Sequence, residues 1–343
     1  MGYSEIIKEN CEKHSSVSWW PKFAFHYTDV TNAVSILDTG YLYSRVNAER
    51  MKIMKNDNAS RQVIDMTISE AAAHVRFYFR PLTPTQFFNE GYKHIDIRYD
   101  NDINANVPVP VFFLFDLEKI LKMPETKFSE FGQAGYGSPL YSGVEAFSRL
   151  DFDKIYSCST ITKELVKYRH AELLYPNFFD INSCLQAVLC RNSIEKMTLM
   201  NLLKEKNSTN FYKYKQYIKI CRENMFENNG LFITECTFHD NKISISFSDT
   251  YPKKYYTERQ MRKNQISELP PINAHIEFDW IGKKDTLLYH TVTEFDLDYI
   301  RAKSVTFSNL PKINEAKNLR IKLFFDDKLM CYYQQPFADI DLI

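Results

Sequence analysis

The sequence predicts an α+β fold in two parts: mixed strands and helices over residues 1–227, then an antiparallel all-β portion over residues 228–343. Three observations carry that expectation. Short apolar strands alternate with helical stretches through the first part. One run, VPVPVFFLFDL (107–117), is apolar at consecutive positions, as a strand covered on both faces requires. Past Asn228-Asn229-Gly230 the texture changes to short alternating segments at regular spacing, the mark of an antiparallel sheet or sandwich.

The first twenty residues, ending at Trp19 and Trp20 before Pro21, read as a short amphipathic helix or a loose arm. KFAFHYT is a compact strand. Asp29-Val30-Thr31-Asn32 then supplies polar caps for a helix over AVSILDTG, which Gly40 closes. YLYSR follows as a second strand. Residues 46–74 are helical in character around the polar break NDNAS, and VRFYF is a strand running into Pro81 and Pro84. Residues 124–150 (KFSEFGQAGYGSPLYSG within them) are rich in Gly, Ser and aromatics, and a long segment of this kind is usually functional. A helix, ITKELVKYRH, leads into the strand AELLY, and QAVLCR repeats a strand-like run. Residues 194–225 read as helical and basic-aromatic. Beyond residue 228, LFITECTF, KISISFSD, AHIEFDWIG, DTLLYHTVTEF, VTFSNL, NLRIKLFFDD and KLMCYYQQPF read as strands.

Composition narrows the function classes. The 343 residues are 44% apolar and 25% charged, the profile of a folded soluble domain or two. Lys plus Arg equal Asp plus Glu at 43 each, so the chain lacks the excess positive charge of a duplex-coating protein. Any nucleic-acid contact must come from a local patch. The seven cysteines form no C-x-x-C pair, which suggests neither a zinc site nor a disulfide framework. The N-terminus is polar and the longest apolar run is far too short to span a bilayer, so a cytoplasmic protein is expected.

Three separated residues carry chemistry. His26 ends a strand and precedes a helix, Tyr78 sits near the end of another strand, and Glu172 opens a third. A lone His or Tyr in such a place is commonly structural. A carboxylate in an apolar strand is less ordinary, because burying it unpaired is costly.

Around these residues the sequence resembles the DarT family. FHYTDVTNAVSILDTGYLYSR (25–45) resembles its opening motif, a His-x-Thr turn followed by an Asn, a helix with an Ile-Leu pair, and a Gly. VRFYFRPLTP (75–84) is similar to its Tyr-Phe-x-Pro-Arg-x-Pro segment. VFFLFD, KFSEFGQAGYGS and a Leu-Asp-Phe stretch (150–152) follow in the family's order. RHAELLY (169–175) is similar to the Gln-Ala-Glu-Phe-Leu-Val strand that bears the family's catalytic glutamate. The resemblance spans about residues 22–200.

The resemblance implies an ADP-ribosyltransferase fold, a split mixed β-sheet with helical insertions that clamps NAD in a cleft, and no metal. It implies that His26 hydrogen-bonds the adenosine-side ribose, Tyr78 packs on the nicotinamide, and Glu172 contacts the nicotinamide ribose as the catalytic carboxylate. Thr28 and Asn32 would complete the cofactor contacts. The family also uses an arginine ahead of the FYF strand; Arg61 is the nearest match, with Arg50 and Arg45 open as alternatives. The target would be a base of single-stranded DNA, or of RNA as a second choice, with protein modification or NAD hydrolysis as further alternatives. A toxin or phage-defence role and a cognate antitoxin partner are implied in the same way. Two departures stand out: the family's arginine after the first proline is Leu82 here, with Arg80 two residues away, and its methionine after the second proline is Thr85.

Elementary chemistry is consistent with these roles. Breaking the nicotinamide–ribose bond develops positive charge on the sugar, which a nearby carboxylate stabilises while accepting a proton from the nucleophile. A phenol ring offers a flat face to the cationic pyridinium, and arginine suits a pyrophosphate. On the substrate side, the resemblance places target reading in the segment before Glu172, where Phe128, Phe131 and Tyr136 are candidates to stack on unpaired bases and Arg169 to bind substrate. Two basic-aromatic runs, 212–222 and 253–263, are candidate backbone trackers. Residues 228–343 fall outside the resemblance.

Overall fold

The computed structural model describes residues 1–55, 69–102, 104–134, 138–159, 162–239 and 241–337. Helix α1 (Tyr3–Lys13) is followed by strand β1 (Phe23–Asp29), α2 (Val30–Thr39), β2 (Tyr41–Tyr43), α3 (Arg45–Arg50) and α4 (Ser69–Ala72). Next come β3 (His74–Tyr78), α5 (Pro84–Asn89), β4 (Pro110–Asp116), α6 (Leu117–Leu121), β5 (Lys127–Ser129), α7 (Val144–Ser148), α8 (Phe152–Ile155) and α9 (Lys163–Tyr168). Strands β6 (Glu172–Pro176), β7 (Phe178–Asp180) and β8 (Leu185–Cys190) lead to α10 (Ser193–Lys206), α11 (Ser208–Tyr214) and β9 (Ile218–Ile220). The remainder is β10 (Ile233–His239), β11 (Lys242–Phe247), α12 (Tyr251–Asn264), β12 (Ile272–Ile281), β13 (Leu287–Leu297), β14 (Ser304–Phe307), β15 (Asn318–Phe325) and β16 (Lys328–Pro336).

Strands β5-β6-β3-β1-β4-β8-β9 form one mixed sheet, antiparallel except for the parallel pair β8–β9. Interior strand β4, between β1 and β8, is buried from Pro110 to Phe115, as the unbroken apolar run predicts. Helix α2 starts where expected: the Asp29 carboxylate accepts the Thr31 amide at 2.9 Å. Gly40 ends it with φ at 77°, a left-handed value that glycine takes without penalty. The first core gathers Phe25, Phe77, Phe113 and Leu173 on this sheet.

The C-terminal strands form a three-stranded sheet, β10-β11-β14, and a four-stranded sheet, β13-β12-β15-β16, both antiparallel as the alternation predicts. Their core (Ile276, Trp280, Leu323) also takes Tyr92, Ile97 and Ile194 from ahead of residue 228. Helix α10 links the two cores, packing against both α2 and β16; the Tyr332 amide donates to Thr198 Oγ1 at 3.0 Å.

Two expectations need correction. The helical reading of residues 194–225, with its basic-aromatic run 212–222, fails past Tyr214, and Ile218–Ile220 is a strand on the edge of β8. There Ile218 is buried, so core packing and a free sheet edge override helix propensity. The C-terminal portion is not β alone. It carries α12, which begins at the Thr250 cap, where Oγ1 accepts the Lys253 amide at 3.3 Å. No helix among the described residues is long and apolar enough to cross a membrane. The seven cysteines are free thiols.

Candidate active site

The crevice arises from a split in the sheet. Strands β1 and β3 pair at Phe25↔Tyr78 and part from there. Between His26 and Thr28 of one strand and His74, Arg76 and Tyr78 of the other lies a crevice of about 280 Å³. Helix α2 walls it with Asn32, Ser35, Ile36 and Thr39, β2 with Tyr41, Leu42 and Tyr43, and α5 with Thr85 and Asn89. Apolar walls with a few convergent polar groups are what a small-molecule site needs.

His26 sits in the parting. Its Nδ1 lies 3.1 Å from the Arg76 carbonyl oxygen. A carbonyl only accepts, so Nδ1 carries the proton and Nε2 is left as an acceptor. Its ring meets Phe77 and Phe113 edge-on, each at 6.3 Å. Burial pushes its pKa down to about 4, only partly countered by the bond to Arg76, so the imidazole is neutral at pH 7. A neutral ring with a bare Nε2 is suited to accept a hydrogen bond from a hydroxyl.

Tyr78 and Glu172 stand directly opposite each other across β3 and β6. The Tyr78 hydroxyl is hydrogen-bonded to Thr85, and burial above all raises its pKa, so it stays a phenol. Glu172 is fully buried. Arg76, two residues before Tyr78 and so on the same face of β3, donates to it twice, Nε to Oε2 at 2.5 Å and Nη2 to Oε1 at 2.9 Å. The Gln133 amide adds a third donor to Oε1 at 2.6 Å. Burial works against the Arg76 cation, but the Glu172 charge beside it prevails and raises its pKa.

Other expected residues scatter. Thr28, Asn32 and Arg45 line the crevice; Asn32 Oδ1 accepts the Lys55 amide at 2.9 Å. Arg50 is exposed at the end of α3 and does not line the crevice. Arg61 and Tyr136 lie outside the described residues. Phe128 is corrected as a base-stacking candidate: it is 1% exposed in β5, its ring packed on Phe147, with no face left for a ligand. Phe131 is partly buried, edge-on to Tyr168 at 4.9 Å under the Lys167 ammonium. Arg169 is also corrected: it is buried, and its guanidinium donates to the Ser157 and Ser159 carbonyls, bracing a loop. Arg80 does not stand in for the arginine missing at Leu82. It is buried and donates to the carbonyls of Pro81, Ile155 and Ser157.

Sequence reasoning missed Arg76. The signal was present: a cation two residues from Tyr78 shares its face of the strand, beside whatever pairs with it. Only strand register, which the sequence leaves open, reveals that Glu172 is that neighbour.

A family model described as DarT, ssDNA thymidine ADP-ribosyltransferase, matches residues 25–226. Among solved structures, Thermus sp. 2.9 DarT in complex with carba-NAD+ is similar over 60% of this chain and 98% of its own, at 15% identity and TM-score 0.46. The same protein in complex with ADP-ribosylated ssDNA covers 60% and 96%, at 14% identity and TM-score 0.47. Thermosipho africanus DarTG in complex with ADP-ribose covers 56% and 51%, at 15% identity and TM-score 0.43. No curated protein matches the sequence.

Proposed function

The chain belongs to the DarT family of single-stranded DNA thymidine ADP-ribosyltransferases, and on that premise we propose that NAD occupies the β1–β3 crevice and that Glu172 serves the transfer to a thymidine. The observation that supports this reading is the convergence of three strands: β1 brings His26, β3 brings Tyr78, and β6 brings Glu172 to the pairing position of Tyr78. In this reading His26 Nε2 accepts a ribose hydroxyl on the adenosine side. Thr28 and Asn32 contact the dinucleotide from β1 and α2. Tyr78, held through Thr85, offers its ring to the nicotinamide. Glu172 faces the nicotinamide ribose.

As the ribose–nicotinamide bond breaks, positive charge grows on the sugar, and the negative carboxylate lowers the energy of that state. The nucleophilic atom of the base bonds to the anomeric carbon from the face opposite the departing nicotinamide, which takes the bonding pair with it, and the base's proton passes to a nearby acceptor, for which Glu172 is the candidate. A base in a duplex hides its reactive edge, so an unpaired strand is the substrate.

Residues 228–343 act in this reading as an accessory domain. Of the two basic-aromatic runs, 253–263 keeps its appeal. On α12, Tyr251 and Tyr255 are 77% and 46% exposed, with rings stacked at 6.3 Å, and Arg259 and Arg262 continue beside them. We assign this face to the DNA strand outside the crevice. We further place the enzyme in a toxin or defence role, in which an antitoxin protein removes the mark or sequesters the enzyme.

Labelled NAD offered with equal amounts of single-stranded DNA, RNA and protein tests the assignment. Label is expected on thymidine-containing DNA alone. Label on RNA would move the target to RNA, and label only on protein would overturn the reading. Growth arrest on expression, relieved by Glu172→Gln, is the expected cellular outcome.

A further inference from the structure

We propose that Arg76 is a positioning residue for the transfer reaction: it holds Glu172 so that one oxygen, Oε2, keeps a single open acceptor site for the ribose. This rests on the assignment of Glu172 above. A carboxylate has about four acceptor sites, two on each oxygen. On Glu172, Oε1 receives two donors, Arg76 Nη2 and the Gln133 amide, and is filled. Among the described residues, Oε2 receives Arg76 Nε alone. The one vacancy is therefore on Oε2, the oxygen in the shorter of the two guanidinium contacts.

Position supports the same conclusion. Arg76 lines the crevice and is about a quarter exposed there, whereas the Glu172 side chain behind it is fully buried. The planar fork fixes both the tilt of the carboxylate and its approach to the crevice, which a point-charge lysine would not do. Arg76 also ties the halves of the site together, because its carbonyl sets the tautomer of His26. The back of the clamp is equally constrained. A Cβ at Gly132 would lie 2.9 Å from His170 Cβ, so only glycine lets the chain bring the Gln133 amide to Oε1.

Among the described residues, the titratable neighbours of the clamp besides Glu172 are Tyr78 beside it on β3, His74 two residues back on the same strand, His170 ahead of β6, and His26 across the parting. Tyr78 stays a phenol, and His26 and His170, each held at about 4 chiefly by burial, are neutral at working pH. With Arg76 removed, the Gln133 amide would be the one donor left on the carboxylate among the described residues, and the tilt of that carboxylate would no longer be fixed.

The test compares Arg76→Met, Arg76→Lys, Gly132→Ala and Glu172→Gln in the full chain, using NAD and a thymidine-containing oligonucleotide. Arg76→Met is expected to lower kcat at least about 30-fold while KM for NAD changes less than about threefold. Arg76→Lys should restore only part of kcat, because charge returns without the fork. Gly132→Ala, which leaves the arginine intact, should also lower kcat with KM for NAD nearly unchanged. A loss in KM alone would make Arg76 a ligand contact, and wild-type kcat in Arg76→Met would make the pair structural; either overturns the proposal. Full activity in Glu172→Gln would instead sink the assignment of the glutamate. Should Arg76→Met fold poorly, Arg76→Lys decides: an unchanged kcat there refutes the need for a fork.

Discussion

Two buried arginine–glutamate clusters in this molecule look alike and do different work. At the crevice, Arg76 holds Glu172; at the junction of the two cores, Arg191 bridges Glu90 and Glu195. Glu90 accepts four donors: Arg191 Nη1 and the Asn228 amide on Oε1, Gln86 Nε2 and the Glu227 amide on Oε2. Arg191 lies 3.6 Å over the Phe232 ring as well, and none of Arg191, Glu90 and Glu195 lines the crevice. Glu172 has three donors and sits behind a crevice wall. A saturated carboxylate can only hold a structure together. One with a vacancy beside a cavity can meet a ligand. Burial and an arginine partner are shared, so neither distinguishes chemistry from architecture; the count of donors and the crevice beside the arginine do.

That contrast is sharpest if the two glutamates are changed separately. Glu172→Gln should lower kcat by two orders of magnitude or more, about 3 kcal/mol in the barrier, while the melting temperature stays within a few degrees. An inactive protein with a much lower melting temperature would erase the distinction. Glu90→Ala should do the reverse. Leaving Arg191 and the 227–228 amides short of an acceptor should cost about 3–5 kcal/mol in urea unfolding, and the folded fraction should keep most of its kcat.

A smaller effect separates the two regions by pH. His26 and His170, both about 4 in the folded chain against an ordinary 6.5, bind protons more readily when unfolded. Their contribution to stability is complete above pH 6.5 and is lost as pH falls from 6.5 toward 4. Glu227 near the junction, raised to about 7 chiefly by burial, has the opposite sign: its contribution is present below 4.5 and lost as pH rises toward 7. Urea unfolding at pH 7 and pH 5 should therefore show His170→Gln recovering relative to wild type at pH 5, and Glu227→Gln recovering relative to wild type at pH 7. Parallel pH curves for all three proteins would contradict the assignment. The smallest effect belongs to α12. Replacing Tyr251 and Tyr255 with Ala should weaken binding of long oligonucleotides several-fold, while short ones that fill only the crevice are modified at the wild-type rate.

Much of the site was legible in the chain because local rules suffice there. The Asp29 cap and the Gly40 stop around AVSILDT mark α2 by capping chemistry alone, and the unbroken apolar run at 110–115 marks a strand buried on both faces. Seven alternating segments after residue 228 likewise announce seven strands. Where a long-range partner decides, local reading failed. Ile218–Ile220 has helical company but joins the open edge of β8. Phe128 looked like a ligand-facing aromatic, yet β5 pairing turns its ring against Phe147. Arg169 looked like a substrate arginine, yet its Nη2 donates to the loop carbonyls at 157 and 159.

What the amino-acid order by itself determined is the set of elements and the chemical types they carry: a phenol at 78 and a carboxylate at 172 at strand ends, and an imidazole at 26, which stands in the middle of β1 rather than at its end as expected. What only the tertiary structure decided is register and satisfaction. Pairing Tyr78 with Glu172 brings Arg76 onto the same face, and the parting of β1 from β3 opens space beside them. Registers are set by contacts between residues nearly a hundred positions apart, and a shift of one residue would turn every side chain of the strand to the other face. No local pattern encodes such a choice; the packed sheet does.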